Sequence, residues 1–285
     1  MTVQNLEKLQ NKALNIRESI IKMLVAAGSG HSAGPLGQAD ILTALYFGGI
    51  LRHSPSDPRA ENRDRFILSC GHTCPALYAT LAEAGYFDKK ELLSLRQINS
   101  RLQGHPHYGD LPGIETTSGP LGQGLSQAVG MALGARLKKE EWRVYCLMSD
   151  GEQEEGQTWE AAMLAGKEKL ANLVGIIDRN HIQIDGFTEN IMPLEPLKEK
   201  YESFNWQVIE VDGHNIPQII DAFNLATAIH EKPSLIIAHT IPGFGVDFME
   251  NKFEWHGKPP SLKESEVALK ELENLRTLRG QIRSE

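Results

Sequence analysis

The apolar positions of the chain follow a helical spacing in some stretches and form short unbroken runs in others. The first stretch has apolar residues three and four positions apart, on one helix face that ends at Gly28: Leu6, Leu9, Ala13, Ile16, Ile20, Leu24 and Ala27. Further helices are predicted over 41–51, 75–84, 125–135, 155–169 and 216–229. A last helix is predicted to begin at Ser261, with Glu264 completing a capping box, before a short polar tail.

Between these helices, short apolar runs predict strands at 65–69, 144–148, 173–177, 206–211 and 234–238. Strands that alternate with helices indicate parallel βαβ units joined by right-handed crossovers. We therefore expect an α/β fold in three layers, with a mainly parallel sheet flanked by helices.

Polar groups follow two of the predicted strands directly. Ser149, Asp150 and Gly151 follow the run at 144–148, and Asp178, Arg179 and Asn180 follow the run at 173–177. In an open parallel sheet the carboxyl ends of strands border the crevice where ligands bind. A carboxylate from Asp150 and an amide oxygen from Asn180 are hard ligands of the kind that Mg²⁺ accepts beside phosphate oxygens.

Histidines lie in the glycine-containing loops. His31 follows Gly28-Ser29-Gly30, and His72 follows the strand at 65–69. A long loop at 101–124 carries His105 and His107, and ordered loops of that length are usually functional. Plain alternatives remain at this point, because His31 could lie in a flexible connection and His72 could cap a helix or fill the core.

Composition and charge exclude several classes of protein. The chain has 285 residues and a formal net charge of −8, which argues against a nucleic-acid-binding protein. No apolar run approaches the ~18 residues of a membrane helix, and the N-terminus lacks the pattern of a signal peptide. Cys70, Cys74 and Cys146 are too few for a disulfide framework, so we expect buried free thiols, not a metal cluster, in a reducing cytoplasm.

The sequence has no Ser-His-Asp order, P-loop or HExxH motif. The segment 119–124 is not a dinucleotide fingerprint, because no strand directly precedes it. Oxygen ligands at strand ends, glycine loops and histidines suit a bound diphosphate with a divalent cation. The residues alone leave open a plainer alternative, an α/β domain whose polar loop groups only cap helices.

The spacing of Asp150-Gly151, 28 further residues and then Asn180 resembles the signature of thiamine-diphosphate enzymes. The resemblance implies the thiamine-diphosphate-binding version of the three-layer fold, with thiamine diphosphate and Mg²⁺ (or Ca²⁺ or Mn²⁺) as cofactors. It implies that Asp150, Asn180 and the main-chain carbonyl of Ile182 bind the cation.

Seven further segments resemble the N-terminal part of transketolases, in the same order. They read GSGHSAGPLGQADIL, DRFILSCGHTCPALYA, GHP, GIETTSGPLGQGLSQAVGMALG, DRNHIQIDG, WQVIEVDGHN and WHG, and the likeness runs from Leu14 to about Pro260. It implies four catalytic histidines around the thiazolium: His31, His72, His105 and His256. It implies a set of cofactor-binding residues: His72, Gly119, Pro120, Leu121, Gly151, Glu155, Asn180 and His256. Glu155 and Glu160 would match an acidic pair between the two active sites of the family dimer.

The chain departs from the family pattern at three positions: Ser149 replaces a glycine, His107 a common glutamate and His239 a frequent lysine. We expect residues 1–285 to form a single diphosphate-binding domain without the pyrimidine-binding and C-terminal domains. The resemblance then implies the N-terminal subunit of a split transketolase, acting on sugar phosphates with a C-terminal partner subunit, in an α₂β₂ assembly. Nucleic acid and membrane are not expected partners.

Two rival functions remain. A related ketolase such as 1-deoxyxylulose-5-phosphate synthase shares the SGH and HG elements, although GPLGQG together with TTSGP favours transketolase. The other rival is a non-catalytic module that regulates a partner. Retention of Asp150, Asn180 and the four histidines argues against that module, since a degenerate site would be expected to lose its ligands first.

Overall fold

A computed structural model describes residues 1–281, with side chains up to residue 278. The strands are β1 (Arg65–Leu68), β2 (Val144–Ser149), β3 (Leu173–Arg179), β4 (Ile182–Gln183), β5 (Gly186–Phe187), β6 (Gln207–Asp212) and β7 (Ser234–His239). The helices are α1 (Val3–Ala27), α2 (Ala33–Phe47), α3 (Cys74–Ala84), α4 (Gln123–Lys138), α5 (Gly156–Lys167), α6 (Thr188–Ile191), α7 (Leu197–Ser203), α8 (Ile216–Ala228) and α9 (Leu262–Gln281). All five predicted strands are present, each within about two residues of its expected bounds.

The main sheet is parallel throughout, in the order β1-β2-β3-β7-β6. The chain therefore passes from β3 to the far edge strand β6 and returns to place β7 between them. Because every strand runs the same way, their carboxyl ends all meet at one edge. The groups that follow β1, β2 and β3 are thus brought together.

Alternate residues of the central strands face opposite sides of the sheet, and each side packs on its own layer of helices. Tyr145 and Leu147 of β2 belong to the core shared with α1, α2, α3, α8 and α9. Cys146 and Met148 belong to the second core, formed with α4, α5 and α7. With both faces covered, β2 and β3 are buried along their whole length, as expected of a parallel sheet. This arrangement confirms the expected three-layer α/β fold.

The predicted bounds of the second helix, 41–51, are wrong at both ends, since α2 runs from Ala33 to Phe47. The glycine segment that was expected to be a loop therefore becomes helical directly after His31 and Ser32. Every residue of α2 except Phe47 is buried. A helix buried on all sides shows no polar face, so the apolar period gives no signal for where it begins. Gly34 allows its close packing, because an added Cβ would lie 3.1 Å from the Thr73 side chain.

Further local predictions concern the last helix, the cysteines and the polar tail. The capping box is confirmed, because the Glu264 N–H donates to Ser261 Oγ and the Ser261 N–H to the Glu264 carboxylate. All three cysteines are buried free thiols. No helix within residues 1–281 is long and apolar enough to cross a membrane. The expected polar tail at 282–285 lies outside the described residues.

The hairpin β4–β5 and the helices α6 and α7, which follow β3, were not predicted. These elements are two to seven residues long, too short for a period to be read. Their position is nevertheless important, since they follow Asn180 at the edge of the sheet where ligands are expected.

Candidate active site

A cavity of about 350 Å³ opens at the carboxyl edge of the sheet. Its walls come from the ends of β1, β2 and β3 and from the loops that carry the histidines. The sequence-predicted residues that line it are His31, His72, His105, Gly119, Leu121, Gly151, Glu155, Asn180, Ile182 and His256. A cavity with convergent polar groups at this edge is the usual place for a ligand in an α/β fold.

Three of the four predicted histidines form a cluster. The ring centroids of His31 and His72 lie 4.9 Å apart, those of His72 and His256 5.2 Å, and those of His31 and His256 5.5 Å. His72 lies in a 3₁₀ helix directly after β1, and His256 directly follows another at Phe253–Trp255. His105 joins the same cavity from the long loop, where it faces Gly119.

The histidine cluster favours neutral imidazoles. Burial, together with the nearby His256, Arg96 and His105, lowers the pKa of His31 to about 4. Burial also lowers the pKa of His72 and of His256. At neutral pH each ring therefore has one nitrogen that donates a hydrogen bond and one that accepts.

His31 Nδ1 is buried and has no hydrogen-bond partner in the described part of the chain. A buried polar atom without a partner is costly, and each such case calls for an explanation. Since this atom belongs to a side chain that lines the cavity, a polar ligand there would satisfy it.

Asp150 lies fully buried beneath the cavity floor. Its Oδ2 accepts hydrogen bonds from Arg179 Nη1 at 3.0 Å and from the His181 N–H at 2.6 Å, and its Oδ1 accepts one from the Gly151 N–H at 2.7 Å. Burial raises the pKa of this carboxyl to about 7, although Arg179 opposes the effect. A cation beside Asp150 would stabilise its charged form.

Asn180 lies at the end of β3, close to Asp150. Its Nδ2 donates to Asp178 Oδ2 at 3.1 Å, and its Oδ1 accepts the Ile182 N–H at 3.1 Å. Asp178 Oδ2 also accepts from Gln38 Nε2 at 2.9 Å, and Thr240 donates to Asp178 Oδ1. Because Asp178 accepts from the amide nitrogen, it fixes which side of the Asn180 amide presents oxygen.

A buried glutamate, Glu152, joins the glycine loop to the strand ends. Its carboxylate accepts hydrogen bonds from the Ser69 hydroxyl, the Gly122 N–H at 2.7 Å and the Ser149 N–H at 3.2 Å. Gly122 has a φ of +80°, and an added Cβ would lie 2.8 Å from the Cβ of Glu155. Only glycine fits this turn without strain.

Some of the remaining predicted residues line the cavity and others do not. Glu155 lines the cavity, whereas Glu160 is exposed on α5. Pro120 is exposed and does not belong to the cavity wall, unlike its neighbours Gly119 and Leu121. Asp150 likewise lies behind the wall instead of in it.

The three departures from the family pattern are accommodated in different ways. Ser149 ends β2 at the cavity wall, and its Oγ accepts a hydrogen bond from the Glu152 N–H at 3.3 Å. His107 is exposed beside Asp110, with 3.5 Å between His107 Nδ1 and Asp110 Oδ1. His239 is also exposed and contacts Glu210 Oε2 at 3.0 Å. Of the three, Ser149 alone borders the cavity.

Sequence reasoning missed the buried polar residues that support the site, which are Gln38, Glu152, Asp178 and Arg179. Asp178 and Arg179 carried a weak signal, because they directly follow an apolar run. Gln38 and Glu152 carried none, since nothing in the pattern distinguishes a buried polar residue from an exposed one.

The residues present fit a diphosphate cofactor with a divalent cation. Asp150 accepts a hydrogen bond from the main chain between Asn180 and Ile182, so the segments that carry these three oxygens are adjacent. A carboxylate, an amide oxygen and a main-chain carbonyl are hard ligands of the kind that such a cation takes. In residues 1–281, no group of three or more His, Cys, Asp or Glu side chains could hold a metal ion. A cation at this site would therefore need the amide and carbonyl oxygens as well as one carboxylate.

Comparison with known proteins decides the family. Residues 9–274 match the transketolase thiamine diphosphate binding domain. The chain belongs to the transketolase family. This membership confirms the resemblance seen in the sequence, and the matched domain is one that binds thiamine diphosphate.

The curated transketolases that resemble this chain are of two lengths. It is 41% identical to an apulose-4-phosphate transketolase subunit of Phocaeicola vulgatus, over 95% of both chains. It is also 41% identical to a 6-deoxy-6-sulfo-D-fructose transketolase subunit of Clostridium sp., over 93% of this chain and 96% of that one. Human transketolase is 40% identical over 94% of this chain but only 42% of its own length.

The same difference in length is seen among solved structures. The transketolase of Campylobacter jejuni superposes with a TM-score of 0.86 and 33% identity, over 97% of this chain and 43% of that chain. The chain thus spans less than half of such transketolases, whereas it matches the two shorter relatives over nearly their full length.

Proposed function

We propose that this chain is the diphosphate-binding subunit of a two-subunit transketolase. With its partner it transfers a two-carbon ketol unit from a ketose phosphate to an aldose phosphate. The observation that carries the proposal is the meeting of His31, His72, His105 and His256 at one cavity over the strand ends. Four imidazoles around one cavity, whose pKa values burial lowers, suit a polyol substrate and proton transfer.

The cofactor would be held at its diphosphate end. Asp150, Asn180 and the Ile182 carbonyl would hold Mg²⁺, or Ca²⁺ or Mn²⁺ in its place, which neutralises the diphosphate. His72, Gly151 and His256 would lie near the diphosphate, and Gly119 to Leu121 near the rings. When bound, thiamine diphosphate supplies a nucleophilic carbon and an electron sink.

The histidines would serve the substrate. His31 Nδ1, buried and without a partner in the described residues, would hydrogen-bond a substrate oxygen. His72, His105 and His256 would donate to the developing alkoxide and pass protons to and from substrate hydroxyls. Since burial keeps His72 and His256 neutral, each has one ring nitrogen that can take up a proton and one N–H that can donate a hydrogen bond. Once protonated, the ring can return that proton to the substrate.

The partner would be a subunit that carries the pyrimidine-binding and C-terminal domains, and the described residues of this chain would form the diphosphate-binding domain. Two curated relatives of similar length are named as subunits of transketolases, which supports this division. We propose an α₂β₂ assembly in the cytoplasm, because family active sites lie between two copies of the protein. Sugar phosphates are the proposed substrates.

Activity of the purified chain, with and without its partner subunit, tests the proposal. We expect ketol transfer from xylulose 5-phosphate to ribose 5-phosphate only when both subunits, thiamine diphosphate and Mg²⁺ are present. Full transfer by the chain alone would contradict the division between subunits. Turnover of pyruvate in place of the ketose phosphate would indicate the deoxyxylulose-phosphate type of ketolase instead. A complex that binds no thiamine diphosphate would indicate a regulatory module.

A further inference from the structure

Arg179 is the last residue of β3 and is almost completely buried, with 1% of its side chain exposed. Its Nη1 donates to Asp150 Oδ2 and to Thr188 Oγ1, both at 3.0 Å. Its Nη2 donates to Glu189 Oε1 at 2.7 Å and to Glu195 Oε1 at 2.8 Å. One guanidinium therefore joins the end of β2 to the segment that follows Asn180 and Ile182.

The charges in this network are unequal. A single buried guanidinium serves three carboxylates, of which Asp150 is fully buried, whereas 38% of Glu189 and 55% of Glu195 are exposed. An Arg–Asp pair alone in the interior would form a closed ion pair, with little attraction left for a further cation. Glu189 and Glu195 share the guanidinium, so the network keeps a net negative charge beside Asp150.

The hydrogen bonds also determine which oxygen of Asp150 remains available. Oδ2 has two donors, Arg179 and the His181 N–H, whereas Oδ1 has one donor, the Gly151 N–H. A carboxylate oxygen has room for about two such partners. Arg179 and His181 thus occupy Oδ2, and Oδ1 keeps a free lone pair.

We propose that Arg179, Glu189 and Glu195 are positioning residues that set the cation affinity of the site. Arg179 holds Asp150 so that Oδ1 is presented to the cation, and the two glutamates prevent the guanidinium from neutralising Asp150. This inference rests on the proposed function, because it assumes that Asp150 binds the cation that accompanies thiamine diphosphate.

The proposal predicts a different loss of cation affinity for each member of the network. Arg179→Gln leaves Asp150 without its charged partner and should weaken cation binding by about tenfold or more, the usual effect of losing a residue that orients a metal ligand. Arg179→Lys keeps the charge but lacks the planar fork, so it should recover only part of the affinity. Glu195→Gln and Glu189→Gln should each weaken binding by a smaller factor, and the double variant by more than either.

The test uses Mn²⁺ as the probe, with the chain reconstituted with its partner and saturated with thiamine diphosphate. Free Mn²⁺ is measured by electron paramagnetic resonance during a titration. Glu199→Gln is the matched control, since it removes the same charge from an exposed position of α7 outside the network. Thermal unfolding of each variant without Mn²⁺ identifies any loss of folding.

A folded Glu195→Gln protein with weakened Mn²⁺ binding supports the proposal, as does recovery of kcat by excess Mn²⁺ in Arg179→Gln. Mn²⁺ affinity equal to that of wild type in every folded network variant would overturn it and leave the proposed function intact. A wild-type complex that binds no Mn²⁺ with thiamine diphosphate would overturn the proposed function and this inference together.

Discussion

At the scale of single residues, the sequence indicated the candidate ligand-binding groups better than the groups that hold them in place. Asp150 and Asn180 could be predicted because each follows an apolar run, at a place where ligand groups are common. Glu152 could not, because charged residues are rarely buried unless they are paired, and its hydroxyl partner is distant in the sequence. Arg179 follows an apolar run as well, but nothing in that position indicates that its side chain is buried. Glu152, for instance, meets Ser69 from 83 positions away.

The buried imidazole of His31 carries a prediction about pH. Burial lowers its pKa to about 4 from an ordinary value of 6.5. Between these values the unfolded chain binds the proton and the folded chain does not, so the free energy of unfolding falls as the pH is lowered through this window. We expect His31→Asn to remove up to about 2 kcal/mol of that fall, allowing for partial exposure of the ring.

Urea unfolding of the two proteins at pH 7 and pH 4.5 measures the effect. His230→Asn, a change at an exposed position, serves as the control and should leave the difference between the two pH values unchanged. If His31→Asn loses as much stability as wild type between pH 7 and pH 4.5, the imidazole does not resist protonation as described.

At the scale of elements, the strands were predictable and the fully buried helix was not. Unbroken apolar runs mark strands that are covered on both faces, as β2 and β3 are. The start of α2 at Ala33 gave no such signal, because 14 of its 15 residues are buried and no polar face contrasts with an apolar one. The glycine-containing first part of α2, residues 33–37, was therefore read as a loop.

The loop before α4 depends on a single buried carboxylate, which gives an element-scale prediction. Glu152→Gln puts an amide NH₂ group where donors already point, since Glu152 accepts hydrogen bonds from Ser69, Gly122 and Ser149. A buried group left unpaired costs about 1–3 kcal/mol. We expect a loss of stability of about 2 kcal/mol and weaker thiamine diphosphate binding, because Gly119 and Leu121 lose their support.

Chemical denaturation and a cofactor titration of the reconstituted complex measure the two effects of Glu152→Gln. Glu141→Gln is the control, as Glu141 is exposed in the turn before β2. A variant that keeps wild-type stability and cofactor affinity would show that Glu152 does not fix the loop.

At the scale of the whole molecule, alternating elements predicted the parallel sheet but not its order. Each right-handed crossover could have placed β6 beside β3. Instead the chain reaches the far edge first, and β7 enters between β3 and β6. The apolar pattern is the same for either order, because both bury the strands equally.

Assembly with the partner is a proposal at the scale of the whole molecule. Glu155 lines the cavity, and Glu160 is exposed five residues further along the same segment. The prediction that this acidic pair lies between two active sites can be tested on the assembled enzyme. We expect the reconstituted enzyme to have the molar mass of two copies of each subunit. Glu160→Lys should reduce that species, because a buried interface tolerates an unmatched charge poorly.

Light scattering coupled to size-exclusion chromatography measures the molar mass of the partner complex formed by the wild-type chain and by the Glu160→Lys chain. Glu266→Lys, on an exposed position of α9 in the opposite helical layer, makes the same charge change away from α5 and should leave the assembly intact. A fully active complex with one copy of each subunit would contradict the α₂β₂ proposal. Loss of assembly in both variants would show that the change in net charge causes the effect. That result would contradict a specific position for Glu160 between the two active sites.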